Sequence, residues 1–351
     1  MPSVDPAAAD RGLPCAPEDI DSFLSEPSPA VTAVLARAPG RVLVLGAGGK
    51  MGLHLSVMLQ RALGALGRTD DLLAVSRFRT LRDREDFTRH GVATLAADLE
   101  DDAQLAALPE AATVFFLAGV KFGTAAAPER LRRVNVELPR RVGERFRHAR
   151  IVAFSTGCVY PFVTAASGGA TEETPPAPVG DYALSCLGRE ESFADVSRRH
   201  GTRVALIRLN YSVEFRYGLL VDIARRVFQG EPVDVTTGQV NVIWQRDAVD
   251  HVIRALDLTA TPPAPVNITG ADILPVRKLA EGFGELLGRP ARFTGIEAPT
   301  AWLNNAAAAH RRFGAPPTSV GHMQRWIAAW LLAGGGNWGK PTGFESRDGH
   351  F

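Results

Sequence analysis

In the stretch VLVLGAGGKMGLHL, glycines stand three apart at Gly46, Gly49 and Gly52, after a predicted strand and at the opening of a predicted helix. Glycine at such a turn lets main chain approach a pyrophosphate, and the free N–H groups of a helix amino end suit phosphate oxygens. The chemistry implied is dinucleotide binding, with Lys50 and Met51 carried inside the same loop. Which dinucleotide is read after the second strand, which ends in AVSRFR. Where a carboxylate would accept the ribose hydroxyls of NAD, the chain offers Ser76, Arg77 and Arg79, a neutral-to-positive set. Charge matching therefore favours NADP, with NAD as the alternative. Asp98, in AADLED, ends the third strand, where an acid faces the adenine amine or simply occupies an exposed turn.

The elements that must position this loop are legible as a pattern. From Arg41 onward, short apolar runs (RVLVLGAG, DLLAVSRF, ATLAADL, TVFFLAG, ARIVAFSTG, RVALIRLN) alternate with amphipathic stretches. Strands separated by helical patterns of this length predict βαβ units, and right-handed crossovers make them a doubly wound parallel sheet of the Rossmann kind. A smaller α/β substrate-binding lobe is interleaved with it. The expected division is 1–40 as an N-terminal extension and 41–210, with 236–260 returning, as the NAD(P)-binding domain. Residues 211–235 and 261–333 form the lobe, and 334–351 a flexible tail, which is rich in glycine with few apolar anchors.

Bulk properties exclude several function classes. The 39 basic residues balance 38 acidic ones, so no excess charge favours a nucleic acid or an anionic membrane surface. Cys15, Cys158 and Cys186 are too few and too scattered for a disulfide framework or a zinc site, and the eight histidines fall singly. No metal is expected. No run approaches the ~18 apolar residues of a spanning helix, and MPSVDPAAADRGLP lacks the order of a signal peptide. The expectation is a soluble cytoplasmic protein.

Several ordered stretches carry a resemblance: GAGGKMG, then ADL ending at Leu99, Leu117, Ala118 and Gly119 of LAGVK, Asn135 in RVNVEL, FSTGCVYP, Tyr182 at the head of its helix, IRLN, and VNITG. Over residues 41 to 330 the chain resembles the extended short-chain dehydrogenase/reductase family, which contains nucleotide-sugar epimerases and dehydratases. The resemblance implies hydride transfer between nicotinamide and a sugar carbon, with Tyr182 as acid/base and Thr156 hydrogen-bonded to the reacting oxygen. It also implies a homodimer through two long helices beside the sheet, one beginning at Tyr182 and the other in ERLRRVNVEL. The family's lysine belongs at position 186, where this chain has cysteine. A phenol of reference pKa near ~10 needs a neighbouring cation to serve as a base at neutral pH, and a neutral thiol supplies none. Of the four lysines, Lys121 lies just beyond the fourth strand, at the carboxyl edge that faces the cofactor, and matches a lysine that galactose epimerases carry there. Lys121 either replaces the missing charge or only grips the cofactor.

For the substrate, Asn210, Arg216, Asn241 and Trp244, with Gln245, offer the amides and the aromatic face that a polyhydroxylated ligand requires. Arg208 and Arg216 are equally suited to a carboxylate or a phosphate, or to holding structure. Cys158 and Cys186 are either a redox-sensitive pair or two small buried hydrophobes. The function expected is an NAD(P)-dependent oxidoreductase, epimerase or dehydratase acting on a hydroxyl-bearing carbon of a sugar, nucleotide sugar or sugar acid. The alternative is a nucleotide-binding redox sensor or partner platform without turnover.

Overall fold

Seven short apolar runs pair side by side, all parallel: β1 (Val42–Leu45), β2 (Leu72–Ser76), β3 (Thr94–Ala96), β4 (Thr113–Phe116), β5 (Arg150–Thr156), β6 (Val204–Leu209) and β7 (Ala264–Ile268). Their order across the sheet is β7-β6-β5-β4-β1-β2-β3, which reverses direction of winding between β1 and β4. The computed structural model describes residues 12–79, 81–121 and 128–349; the opening segment 1–11 and the residues that follow Lys121 lie outside them. Both faces of the sheet are covered, which is why β1 and β4 read as unbroken apolar runs rather than alternating ones. Val42 and Val44 point into one core layer with Val152 and Phe154. Leu43 and Leu45 point into the other with Ile151 and Ala153.

The first layer packs under α1 (Pro29–Ala36), α2 (Gly52–Gly64) and, later in the chain, the helix Gln245–Arg254; the second packs under α3 (Leu138–Arg145) and α4 (Asp181–His200). A separate core builds the smaller lobe around α5 (Leu219–Gln229), α6 (Val276–Leu287) and α7 (Val320–Leu332). Short strand pairs belong to it among the described residues: Gln239–Val240 with Leu274–Pro275, Pro232–Asp234 with Arg292–Thr294, and Ile243–Trp244 with Ser212–Val213.

The boundaries differ from the expected ones in three places. Residues 264–268, expected in the lobe, form the edge strand β7, because their apolar side chains complete the layer beside β6. Conversely Val240, Val242 and Trp244, expected in the nucleotide domain, belong to the lobe core, and the return begins only with the helix at Gln245. The N-terminal extension is no appendage from residue 12 onward. Val31, Val34 and Leu35 enter the sheet core, while Ile20 and Leu24 enter the lobe core. Asp21 receives hydrogen bonds from His54 at 2.9 Å, Arg82 at 2.8 Å and Arg216 at 2.6 Å, joining this segment to both units. Burial would raise its carboxyl, but the His54 hydrogen bond and the Arg216 charge hold it well below the usual range.

The tail, expected to be flexible, is laid across the cleft between the two units. The ring of Trp338 lies 4.7 Å from the guanidinium of Arg82 and 4.7 Å from that of Arg216, and donates to Glu214 at 2.8 Å. Thr342 donates to Asp222 through both its main-chain N–H and its hydroxyl at 2.7 Å. Phe344 is buried in the lobe core. The sequence showed few apolar anchors here, and these two aromatic residues with the polar contacts suffice.

Candidate active site

The carboxyl edge of the sheet opens into two adjoining cavities, of about 390 and about 320 Å3. Gly46 and Gly49 border both. Gly46 has φ +84°, and a Cβ there would lie 2.5 Å from the amide nitrogen of Ala118. At Gly52 a Cβ would lie 2.1 Å from the carbonyl oxygen of Ala47, so only glycine lets α2 start this close to the loop. Lys50, Met51 and Gly52 line the larger cavity, and Leu117, Gly119 and Lys121 line both. The sequence-predicted loop residues are thus brought together.

The smaller cavity collects Ser76, Arg77, Arg79, Ala118, Asp98 and Leu99. Arg77 lies 3.7 Å from Asp98 and 3.9 Å from Glu100, so its charge is shared with two carboxylates, while Arg79 is exposed at the rim. Asp98 accepts from the main-chain N–H of Glu100 at 3.0 Å, as the turn reading of this residue requires. Asn135 does not line either cavity. It is fully buried, accepts from the Val120 N–H at 3.0 Å and donates to the Val120 carbonyl at 2.9 Å, which fixes the loop that carries Lys121.

The larger cavity gathers Thr156, Tyr182, Lys121 and Cys158 on one wall. Thr156 ends β5 and accepts from the Cys158 N–H at 3.2 Å, capping the turn that follows. Tyr182 is in the first turn of α4, entered through Gly180, which has φ +83°. Its phenol and the Cys186 thiol are hydrogen-bonded to each other. Burial, then the neighbouring thiols Cys186 and Cys158, push the phenol well above its ordinary value, and Arg189 pulls against them. The cysteine thus acts on the tyrosine in the opposite sense to a lysine.

Two cations stand near. Lys121 holds its ammonium 5.6 Å from the centre of the Tyr182 ring and donates to the Thr342 carbonyl at 3.3 Å. Burial lowers its pKa, against the pull of Cys158, Cys186 and Asp222. Arg189, two turns beyond Tyr182 on α4, lines the same cavity and is anchored by hydrogen bonds to the Phe154 carbonyl at 2.9 Å and to Asn135 at 2.8 Å. Sequence reasoning missed Arg189. Its spacing of seven from Tyr182 and three from Cys186, which puts all three on one helix face, was the available signal.

On the substrate side, the expected residues divide. Asn210 and Gln245 line the larger cavity. Trp244 does not: it is fully buried against Phe215, 5.0 Å between ring centres, because its two-residue strand pairs with Ser212–Val213 and turns the ring into the lobe core. Asn241 donates to the Asp272 carbonyl and accepts from the Asn304 N–H, both inside the lobe. Arg216 is taken by Asp21 and Glu214. Arg208 forms a buried pair with Glu190 at 2.7 Å and holds structure. Tyr211, Tyr217 and the tail residues Lys340 and Thr342 replace them on the cavity wall.

A nicotinamide dinucleotide fits this donor set. Two cavities meet at a neck of glycine main chain, Lys121 and Lys340 bring two cations to it and Lys50 a third beside it in the larger cavity, matching two nucleosides joined by a pyrophosphate. Lys50 bears the strain of that crowding: burial first, then the charges of Lys121 and Lys340, lower it to about 7. Among the described residues no cluster of histidine, cysteine or carboxylate side chains could hold a metal ion, and no helix is long and apolar enough to cross a membrane.

A family model described as the NAD dependent epimerase/dehydratase family matches residues 42–269. No curated protein matches the chain by sequence. UDP-glucose 4-epimerase of Thermus thermophilus, solved in complex with NAD, superposes with a TM-score of 0.67 at 19% identity, over 82% of this chain and 97% of its own. A dTDP-glucose 4,6-dehydratase double mutant from Streptomyces venezuelae, with NAD bound, gives 0.70 at 19%, over 83% and 97%. The UDP-glucuronic acid 4-epimerase of Bacillus cereus gives 0.67 at 15%, over 84% and 99%. At these identities the likeness is one of fold.

Proposed function

The chain belongs to the NAD dependent epimerase/dehydratase family, and from that premise we propose that it oxidises or reduces a hydroxyl-bearing carbon of a sugar, nucleotide sugar or sugar acid. The observation that carries this reading is the shared wall of the larger cavity, where Tyr182, Thr156, Lys121 and Arg189 face the phosphate loop. A bound nicotinamide dinucleotide supplies the hydride acceptor and donor. Gly46, Gly49, Lys50, Met51, Gly52, Leu117, Ala118, Gly119 and Lys121 hold it, with Ser76, Arg77, Asp98 and Leu99 at the adenosine end. With Arg77 shared between Asp98 and Glu100, the preference for NADP over NAD rests on charge matching by exposed Arg79.

Tyr182 holds the proton that the substrate hydroxyl gives up or receives. Its raised pKa keeps the phenol protonated at neutral pH, so a reduction step finds the donor ready. An oxidation step needs the phenolate, and the stabilising charge comes from Arg189 and Lys121 in place of the lysine that Cys186 displaces. Thr156 fixes the reacting oxygen, while Asn210 and Gln245 orient a polyhydroxylated ligand. Asn135 acts through the main chain of Val120 by holding the Lys121 loop in place. A homodimer through α4, whose Leu184 is 59% exposed, and a cytoplasmic location that keeps the thiols reduced complete the reading.

Denaturing the purified protein and identifying the released nucleotide by mass spectrometry comes first, followed by a panel of nucleotide sugars and sugar acids. Retained oxidised dinucleotide with turnover of a panel member supports an internally recycling epimerase or dehydratase. Tyr182→Phe is expected to cost about a thousandfold in turnover with unchanged dinucleotide affinity. The upward push of Cys186 on the phenol is the one observation favouring a sensor without turnover. Binding without turnover across the panel would decide for that reading. A monomer in sedimentation at micromolar concentration would remove the dimer.

A further inference from the structure

The two cavities share one neck, and any occupant that fills both must pass through it. Seven residues line both: Gly46 and Gly49 of the phosphate loop, Leu117, Gly119, Val120 and Lys121 beyond β4, and Lys340. Six of these come from the nucleotide-binding layer. Lys340 comes from the C-terminal strap, roughly 290 residues after the phosphate loop in the chain. On either side of it the strap is tied down, by Trp338 between Arg82 and Arg216 and by Thr342 on Asp222. The Thr342 carbonyl also takes a hydrogen bond from Lys121 itself. Further on, Arg226 pairs with Glu345 at 2.9 Å, and Gly349 packs against Gly180 so closely that a Cβ on either would collide with the other.

We infer that the strap is part of the dinucleotide site: Lys340 closes the neck over the pyrophosphate, so that strap docking and dinucleotide binding strengthen each other. This rests on the dinucleotide reading of the cleft given above. Lys121 and Lys340 both repel Lys50, which lines the larger cavity beside this neck, and the carboxylate that acts on Lys50, Asp222, already accepts two hydrogen bonds from Thr342. A pyrophosphate relieves that repulsion, and the relief is available to the strap only when it is docked. By linkage, whatever the strap adds to dinucleotide affinity the dinucleotide returns to strap docking.

The test uses the full chain with NADPH and NADH as probes, measuring affinity by nucleotide fluorescence and strap docking by limited chymotrypsin cleavage at Trp338, with the cut identified by mass spectrometry. Lys340 is exposed, so Lys340→Gln leaves the fold intact, which its thermal transition checks. The expected result is about tenfold weaker dinucleotide binding in the variant and unchanged binding of adenosine, which has no phosphate. Saturating dinucleotide is expected to slow cleavage at Trp338 in the wild type and to slow it less in the variant. Equal dinucleotide affinity, an equal loss with adenosine, or cleavage indifferent to dinucleotide would each overturn the inference while leaving the dinucleotide reading intact. A wild-type chain that binds neither NADPH nor NADH would overturn both.

Discussion

The two ends of the cleft are built in different ways. At the phosphate loop, the glycines lie within seven consecutive residues, and the geometry follows from steric limits at Gly46 against Ala118 and at Gly52 against Ala47. At the Tyr182 end, the electrostatics are assembled from four places: the tyrosine and Arg189 on α4, Cys158 after β5, Lys121 after β4, and Thr342 in the strap. The first end is set by main-chain clearance, against Ala47 at Gly52 and against the end of β4 at Gly46. At the second, Cys186 stands where the family resemblance implies a lysine, and other cations can serve there because charge reaches a site from any direction whereas main-chain clearance does not.

That contrast can be broken most directly at the loop. Gly52→Ala sets a methyl against the Ala47 carbonyl and is expected to cost about 3 kcal/mol of stability together with dinucleotide binding. A variant that melts and binds like the wild type would show that the loop is less constrained than its geometry requires. The other end should yield by degrees. Lys121→Ala and Arg189→Met are each expected to lower turnover about ten- to a hundredfold and to move the basic limb of the pH profile upward, since each removes a charge that stabilises phenolate. If only one of them moves the profile, that residue is the replacement for the lysine and the other a structural or cofactor contact.

Smaller still is the effect of the thiol. Cys186→Ala removes the hydrogen bond that raises the Tyr182 phenol, so the phenol is expected to titrate lower, read as the difference in phenolate absorbance against Tyr182→Phe. An unchanged titration would mean that burial alone sets it. The smallest effect concerns Lys50. Its folded-state value of about 7 lies below its ordinary 10.5, so between those values the unfolded chain binds more protons than the folded one. Stability from this group therefore rises as pH rises from about 7 toward 10.5, and below 7 the full cost of burying the charge is present. Lys50→Met should flatten that slope in chemical denaturation, and saturating dinucleotide should flatten it too.

How much was legible in the sequence follows the same division. The doubly wound sheet and the glycine loop could be read because both leave a local signal, β-branched runs and glycines three residues apart; the clearance of Gly46 against Ala118 leaves none. Asn135 could be marked by its motif, but its action on Val120, across 15 residues, depends on how a loop folds back. Trp244 could not be told from a ligand platform, since a two-residue strand decides which way the ring turns. Arg216 was a candidate for an anionic substrate until Asp21, 195 residues earlier, met it at 2.6 Å. Arg189 offered only its helix-face spacing, and Lys340 carried no pattern at all. Cleft chemistry supplied by single cations from distant segments leaves no periodicity to read.

The junction at Asp21 has a consequence for how the molecule comes into being. Phe23 packs edge-on against Trp326 at 5.5 Å, Asp21 binds Arg216, and Arg216 in turn underlies Trp338. The earliest described residues thus find partners both nearby, at His54 and Arg82, and far along the chain, at Arg216 and Trp326. During folding, the apolar Ile20, Phe23 and Leu24 stay unsatisfied until the lobe core they enter has formed, roughly 190 residues later in the chain.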